Sequence, residues 1–296
     1  MPPLPIPAPR VEGMTATTGV PLYWCRYGRA GAPPVLVLHG GPGAHHNYLL
    51  PHFLDLADEF DLLFYDQRGG GRSKTDDPAS ITAQVQVDDL ERVIAELTEG
   101  PLTIVGYSWG ALLALLYSID TAGGSRSPVP ARLALVDPAA VSRAHRTVFE
   151  AAFARRANSA ELLAMRAELS ASGLRDTDPA AHKQRVFELS VAGYFFDPRQ
   201  AENLTPFRVT GRVQQQVWES LGEFDLAPQL GAVRCDALVV HGRQDPIPLA
   251  SSEAVAEALH AQLVVLDDCG HVPYVERRDA LFATLRPFLR ADPAAR

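Results

Sequence analysis

Apolar positions along the chain fall into two alternating patterns. Short continuous apolar runs occur at "VLVLH" (35–39), "DLLFYD" (61–66), "LTIVGY" (102–107), "RLALVD" (132–137), "ALVVHG" (237–242) and "QLVVLDD" (262–268). Runs of this length without alternation suit strands buried on both faces of a parallel sheet. Between them the spacing turns helical. In "ITAQVQVDDLERVIAELTEG", Val87, Leu90, Val93, Ile94 and Leu97 share one face, and Gly100 follows as a stop. "PLASSEAVAEALH" opens on Pro248, which is favourable at a first helical position. Strand and helix in turn predict an α/β fold, a mostly parallel central sheet with helices on both faces.

One long segment breaks this rhythm. From 139 to 230 no strand pattern is present, and "SRAHRTVFEAAFARRA", "SAELLAMRAELSAS", "AAHKQRVFELSVAGYFF" and "TGRVQQQVWESLGEF" read as helices. Strand patterns resume at Ala237. The simplest organisation is one sheet domain in two parts, 1–138 and 231–296, with a helical insertion at 139–230. The proline-rich start, "MPPLPIPAPR", reads as an extended arm; it lacks the charge-then-apolar pattern of a signal peptide.

The chemistry concentrates where the third strand pattern meets a helix, at "GYSWG" (106–110). A serine hydroxyl is a poor nucleophile unless it is held clear of the backbone beside a base. A very tight strand-to-helix turn does this, and it leaves little room at the flanking positions, which here are Gly106 and Gly110. The new helix also presents free N–H groups, Trp109 among them, to a developing oxyanion. Ser108 is therefore the candidate nucleophile.

Such a turn is followed in chain order by an acid and a histidine. Asp245 lies just past a strand in "ALVVHGRQDPIP", and His271 just past the last one in "LVVLDDCGHVPYVE". Both loops are expected at the carboxyl edge of the sheet, with His271 as base and Asp245 as orienter. Asp137, after the strand that follows the serine, competes for the acid role, but "DPAA" reads equally well as a helix start. Asp267 and Asp268 read as shaping the histidine loop, and His241 as a packed core residue. His45, His46 and His52 lack metal-ligand spacing and read as local loop or helix residues. Cys269 precedes the histidine by two, but the serine makes a cysteine nucleophile unnecessary.

"LHGGPGAHH" follows the first strong strand. Its glycines allow a backbone N–H to enter the site as the second half of an oxyanion hole beside Trp109. A dinucleotide loop fails because His46 occupies the last glycine position. "GGGRSKT" (69–75) fails as a P-loop because Ser73 replaces the glycine before Lys74.

Composition narrows the partners. A formal charge of −8 with no long basic run argues against nucleic acid and anionic membranes. The longest apolar run, from Ala111, is too short to span a bilayer. Three scattered cysteines, Cys25, Cys235 and Cys269, suggest reduced thiols and a cytoplasmic protein. No cofactor or metal is called for. The expected partner is a small-molecule or short-peptide substrate.

"HGGPG" (39–43), "DQRGGGRS" (66–73), "GYSWG", "HGRQD" (241–245) and "GHVPYVE" (270–276) together resemble an α/β-hydrolase of the proline iminopeptidase-like subfamily. The resemblance implies Ser108, Asp245 and His271 as the triad and the Gly41 and Trp109 N–H groups as the oxyanion hole. It implies bracing roles for Asp66 and Arg68, and a cap over the site at 139–230. Proline iminopeptidases hold the substrate amine with cap glutamates, one of them three residues before a Tyr-Phe pair. Here that pair is Tyr194-Phe195 and the position holds Val191, so Glu188 one turn earlier or Glu219 in "VWESL" would have to serve, beside Tyr194. Both glutamates read equally as parts of a solvated cap face. The expectation is an aminopeptidase releasing a small N-terminal residue, with a carboxylesterase as the alternative and a non-catalytic binding protein last.

Overall fold

The structure, a computed structural model, describes residues 5–77, 81–124 and 127–291. The first four residues of the proline-rich arm lie outside the described residues. Eight strands form one sheet: β1 (Val11–Met14), β2 (Tyr23–Gly28), β3 (Pro34–Leu38), β4 (Asp61–Tyr65), β5 (Thr103–Tyr107), β6 (Arg132–Val136), β7 (Asp236–Gly242) and β8 (Gln262–Leu266). Their spatial order is β1-β2-β4-β3-β5-β6-β7-β8. β1 and β2 are antiparallel to their neighbours and the remaining pairs are parallel. The six apolar runs are thus β3 to β8. The two antiparallel strands had no such run: β2, "YWCRYG", alternates buried and half-buried positions because one face is only partly covered.

Alternate residues of the central strands feed opposite cores. Leu36, Leu38, Ile104, Leu133 and Leu135 pack on α1 (Ala83–Leu97), α2 (Trp109–Ala122) and, later in the chain, α9 (Leu249–Leu259). Val35, Val37, Val105, Ala134 and Val136 face the other way, where Leu281, Phe282, Leu285 and Leu289 of α11 (Arg278–Arg290) close the core. The two-residue strand period divides each run between two covered faces, so the interior positions of the central strands are mostly apolar. The side chain of Thr82 accepts the Val85 N–H and starts α1. Pro248 stands at the N-cap of α9, one position before the first helical residue expected for it.

Between β6 and β7 the described residues contain helices and no strand: α3 (Arg143–Ala157), α4 (Ala160–Ala171), α5 (Leu174–Thr177), α6 (Pro179–Val191), α7 (Gly211–Leu221) and α8 (Ala227–Leu230). A one-turn helix α10 (Pro273–Glu276) precedes α11. Asp137 starts no helix. α3 begins at Arg143, capped by the Ser142 side chain, and Asp137 is buried with φ of 41°.

The chain crosses over at the centre of the sheet. β3 leads outward to β4, and the chain returns to place β5 on the other side of β3. The loops leaving β3 and β5 therefore diverge at their carboxyl ends and open a crevice between them, the general ligand position of such sheets. "HGGPG" leaves β3 and "GYSWG" leaves β5.

Candidate active site

Ser108 joins β5 to α2 with φ of 53° and ψ of −118°, a backbone conformation that L residues rarely adopt. The surrounding packing holds it there. A Cβ on Gly110 would stand 2.3 Å from the Leu38 carbonyl oxygen, and one on Gly106 would stand 2.5 Å from the Ala111 Cα. Both distances are far inside contact, so the glycines let the turn press against β3 and its own helix. The half-buried Ser108 side chain then stands above the sheet edge.

His271 Nε2 lies 2.9 Å from Ser108 Oγ, and His271 Nδ1 lies 2.6 Å from Asp245 Oδ2. Asp245 Oδ1 accepts the Ile247 N–H at 2.7 Å, which fixes the carboxylate's rotation. Burial pushes the Asp245 carboxyl up, but the charge and hydrogen bond of His271 outweigh it and hold it below the usual carboxylate range. The His271 ring lies between two tyrosines. Tyr107 and Tyr194 each have a ring centroid 5.3 Å from it, at interplanar angles of 36° and 34°. The Tyr107 hydroxyl donates to the His271 carbonyl, and the His271 N–H donates to the Tyr194 carbonyl, both at 2.7 Å. The helical segment thus touches the imidazole through one residue's ring and peptide.

Asp137 occupies a different place from either reading offered for it. Its Oδ1 accepts the Gly242 N–H at 2.7 Å, and the carboxylate bonded to His271 Nδ1 is that of Asp245. Burial and the neighbouring Asp245 charge raise its pKa well above the usual range, which favours the protonated carboxyl. His241 is fully buried, bonds Ser252 Oγ at 2.9 Å, and is pushed down in pKa by burial. Among the described residues, Asp137, His241 and Asp245 are the one group with donor atoms within 4.8 Å of one another. Both Asp245 oxygens and His241 Nδ1 are already engaged, so a metal ion there would compete with the site's own hydrogen bonds.

Gln67 ties together the two loops expected to supply the oxyanion donors. Its amide donates to the His39 carbonyl at 2.8 Å and accepts from Trp109 Nε1 at 2.9 Å, tying the "HGGPG" loop to the start of α2. The Gly40 N–H donates to the Tyr48 hydroxyl at 2.6 Å. Among the described residues the Gly41 and Trp109 N–H groups have no acceptor, which leaves two donors beside Ser108. Asp66 accepts from the backbone N–H and Nδ1 of buried His46 and from the Arg72 N–H, and Arg68 makes a buried bidentate pair with Asp89 at 2.6 and 2.7 Å. Both brace the neighbouring loops. Asp267 pairs with Arg243, and Asp268 with Arg277 at 2.9 Å. Cys269 is buried, its thiol pushed up in pKa by burial.

Ser108 opens into a cavity of about 310 Å³ whose walls include Tyr48, Phe187, Val191, Tyr194, Phe207 and Tyr274. Among the described residues, no carboxylate lines it. Tyr194 and Val191 face the cavity as expected, but the two glutamates do not. The Glu188 carboxylate turns along its own helix to the Gln184 amide at 3.0 Å and Arg185 at 2.8 Å. Glu219 is on the exposed face of α7, beside Gln215 and in an outer cleft with Arg143 and Arg146. Val213 and Val217 take the inward face of that helix, which leaves Glu219 to the outside.

Sequence reasoning missed Gln67, Tyr48, Tyr107, Tyr274 and Glu276. Glu276 is buried; its Oε1 accepts the Phe196 and Asp197 N–H groups and its Oε2 the Gly270 N–H. It clamps the segment after α6 to the loop carrying His271. Burial pushes this carboxyl up to about 7, against the pull of those three N–H groups. Its position at the end of "GHVPYVE" was the one available signal.

The family model described as the alpha/beta hydrolase family matches residues 35–284. A proline iminopeptidase of Lactobacillus crispatus is 25% identical over 301 residues, covering 94% of this chain and 98% of that one. One from Lactobacillus helveticus is 35% identical over 116 residues, which is 37% of this chain and only 39% of the length of that protein. A solved proline iminopeptidase-related protein of Thermus thermophilus superposes with a TM-score of 0.71 at 24% identity, covering 94% of this chain and 96% of that one. With the family model spanning most of the sequence, the chain belongs to the alpha/beta hydrolase family and is proline iminopeptidase-like within it.

Proposed function

We propose that the protein is a serine hydrolase that cleaves carboxylic esters or related neutral acyl substrates through an acyl-enzyme. Ser108 Oγ attacks the acyl carbon as His271 Nε2 takes its proton, and Asp245 holds the imidazole and stabilises its charged form. The Trp109 and Gly41 N–H groups receive the oxyanion. His271 then returns the proton to the departing alcohol, and water releases the acyl group by the same route. Segment 139–230 acts as the cap over this cavity.

The observation that carries the substrate class is the absence of any carboxylate from the cavity lining. An ammonium group brought into such a space loses water without gaining a counter-charge, whereas an apolar acyl group gains by burial. A second reading, release of a small N-terminal residue such as proline, is favoured by the names of the curated relatives. An organophosphonate probe tests the shared core of both readings. It should label Ser108 and leave Ser108→Ala unlabelled; labelling elsewhere would remove the assignment.

A further inference from the structure

The protein is acidic overall, with a formal charge of −8, yet one groove on its surface carries lysine and arginine among its lining residues and no carboxylate. It has a volume of about 860 Å³, and Lys74, Lys183 and Arg208 line it with no aspartate or glutamate among the lining residues. Among the described residues none of the three is in an ion pair. Asp76 and Asp77, just beyond Lys74 in sequence, are outside the lining. His45 also lines it, but burial lowers its pKa and keeps the ring neutral.

The groove abuts the Ser108 cavity. Phe187, Ser190 and Phe207 line both spaces. The segments that wall the cavity therefore also supply the charge. On α6, Lys183 lies one turn before Phe187, at the spacing that puts two side chains on one helix face. Arg208 directly follows Phe207. An apolar cavity beside the nucleophile and an unpaired basic groove across a shared wall form a two-part surface.

We infer that the groove binds a phosphate group on the alcohol side of the substrate, so that the protein prefers acyl esters of phosphorylated alcohols. This rests on the serine hydrolase reading above. The Ser108 Oγ to acyl carbon bond forms, the ester C–O bond breaks, and the alcohol leaves with its phosphate intact after taking the proton from His271. Water then gives the free carboxylic acid. A phosphate monoester carries nearly two negative charges and three acceptor oxygens, which suits three cations of one sign, and Arg208 can bind two of those oxygens at once.

The test compares kcat/KM for butyryl-glycerol phosphate with that for butyryl-glycerol. The phosphate ester should be favoured, and the ratio should shrink as salt is added, because the cations are exposed. Lys183→Ala and Arg208→Ala should each lower the ratio by about three- to fivefold. Lys183→Glu with Arg208→Glu should lower it by at least about tenfold, since repulsion adds to the lost attraction. A long-chain acyl-glycerol phosphate in phosphatidylcholine vesicles separates the two sources of the ligand. Preference for the soluble ester assigns a soluble substrate, and preference confined to vesicles assigns a lipid headgroup. A ratio at or below one both in solution and in vesicles, or a ratio unaltered in the double variant, overturns the proposal. If neither ester is turned over, the hydrolase reading fails. The groove is then read by titrating butyryl-glycerol phosphate into Ser108→Ala protein; binding weakened by the double substitution supports it, and no binding overturns it.

Discussion

Asp245→Asn should inactivate the protein through a tautomer, with little change in shape. Asp245 Oδ1 accepts the Ile247 N–H at 2.7 Å, so the amide oxygen of an asparagine is held there. Its NH2 group is then forced to the place of Oδ2, 2.6 Å from His271 Nδ1. Two N–H groups cannot face each other at that distance, so the imidazole must carry its proton on Nε2. That proton points at Ser108 Oγ, and the ring can no longer accept the hydroxyl proton. In a serine protease the same substitution costs about 10⁴ in kcat, or roughly 5 kcal/mol at 1.36 kcal/mol per tenfold. Asp137→Asn is the control. Asp137 hydrogen-bonds neither Ser108 nor His271, and an asparagine oxygen can still accept the Gly242 N–H, so activity should change by less than about threefold. The assay is kcat/KM on a neutral 4-nitrophenyl ester, with circular dichroism to show that both variants fold. An active Asp245→Asn protein beside an inactive Asp137→Asn protein would refute the reasoning and move the acid to the end of β6.

Gly110→Ala should destabilise by about 3 kcal/mol or more, read as a fall in the urea midpoint, because its Cβ would stand 2.3 Å from the Leu38 carbonyl oxygen; an unchanged midpoint would contradict the tight packing of the turn. The Glu276 carboxyl, raised from 4.5 to about 7 in the fold, keeps a proton that the unfolded chain has lost, so its contribution favours the fold below pH 4.5 and declines as pH rises to about 7. The Tm of wild type relative to Glu276→Gln should therefore fall across that window, and a flat difference would refute the assignment.

The sequence exposed what is covered on both sides and missed what is half-covered. β3 to β7 are continuous apolar runs because both faces are largely buried, and the edge strand β8 keeps such a run though most of it is only half-buried, whereas β2 mixes Arg26 and Tyr27 with Cys25 and has no run to find. The placing of Ser108, Asp245 and His271 in three loops at one sheet edge followed from strand order in the chain. The surroundings of those residues did not. Gln67, Tyr107 and Glu276 act through contacts with residues 42, 164 and 80 positions away, which no local pattern encodes. The cap glutamates show the same limit. Helical spacing places Glu188 one turn from Val191, but it cannot tell that Gln184 and Arg185 hold the carboxylate along the helix.

The substrate class is the central claim, and a matched pair of methyl esters tests it most directly. Proline and cyclopentanecarboxylic acid have nearly the same shape, and differ at the ring position where one carries a charged amine and the other a methylene. At a pH where the amine is protonated, a cavity without a carboxylate should favour the cyclopentane ester in kcat/KM by at least about tenfold, since an unpaired buried charge costs 2 kcal/mol or more. Faster turnover of the prolyl ester would contradict the account and place a counter-charge for the amine within reach of Ser108.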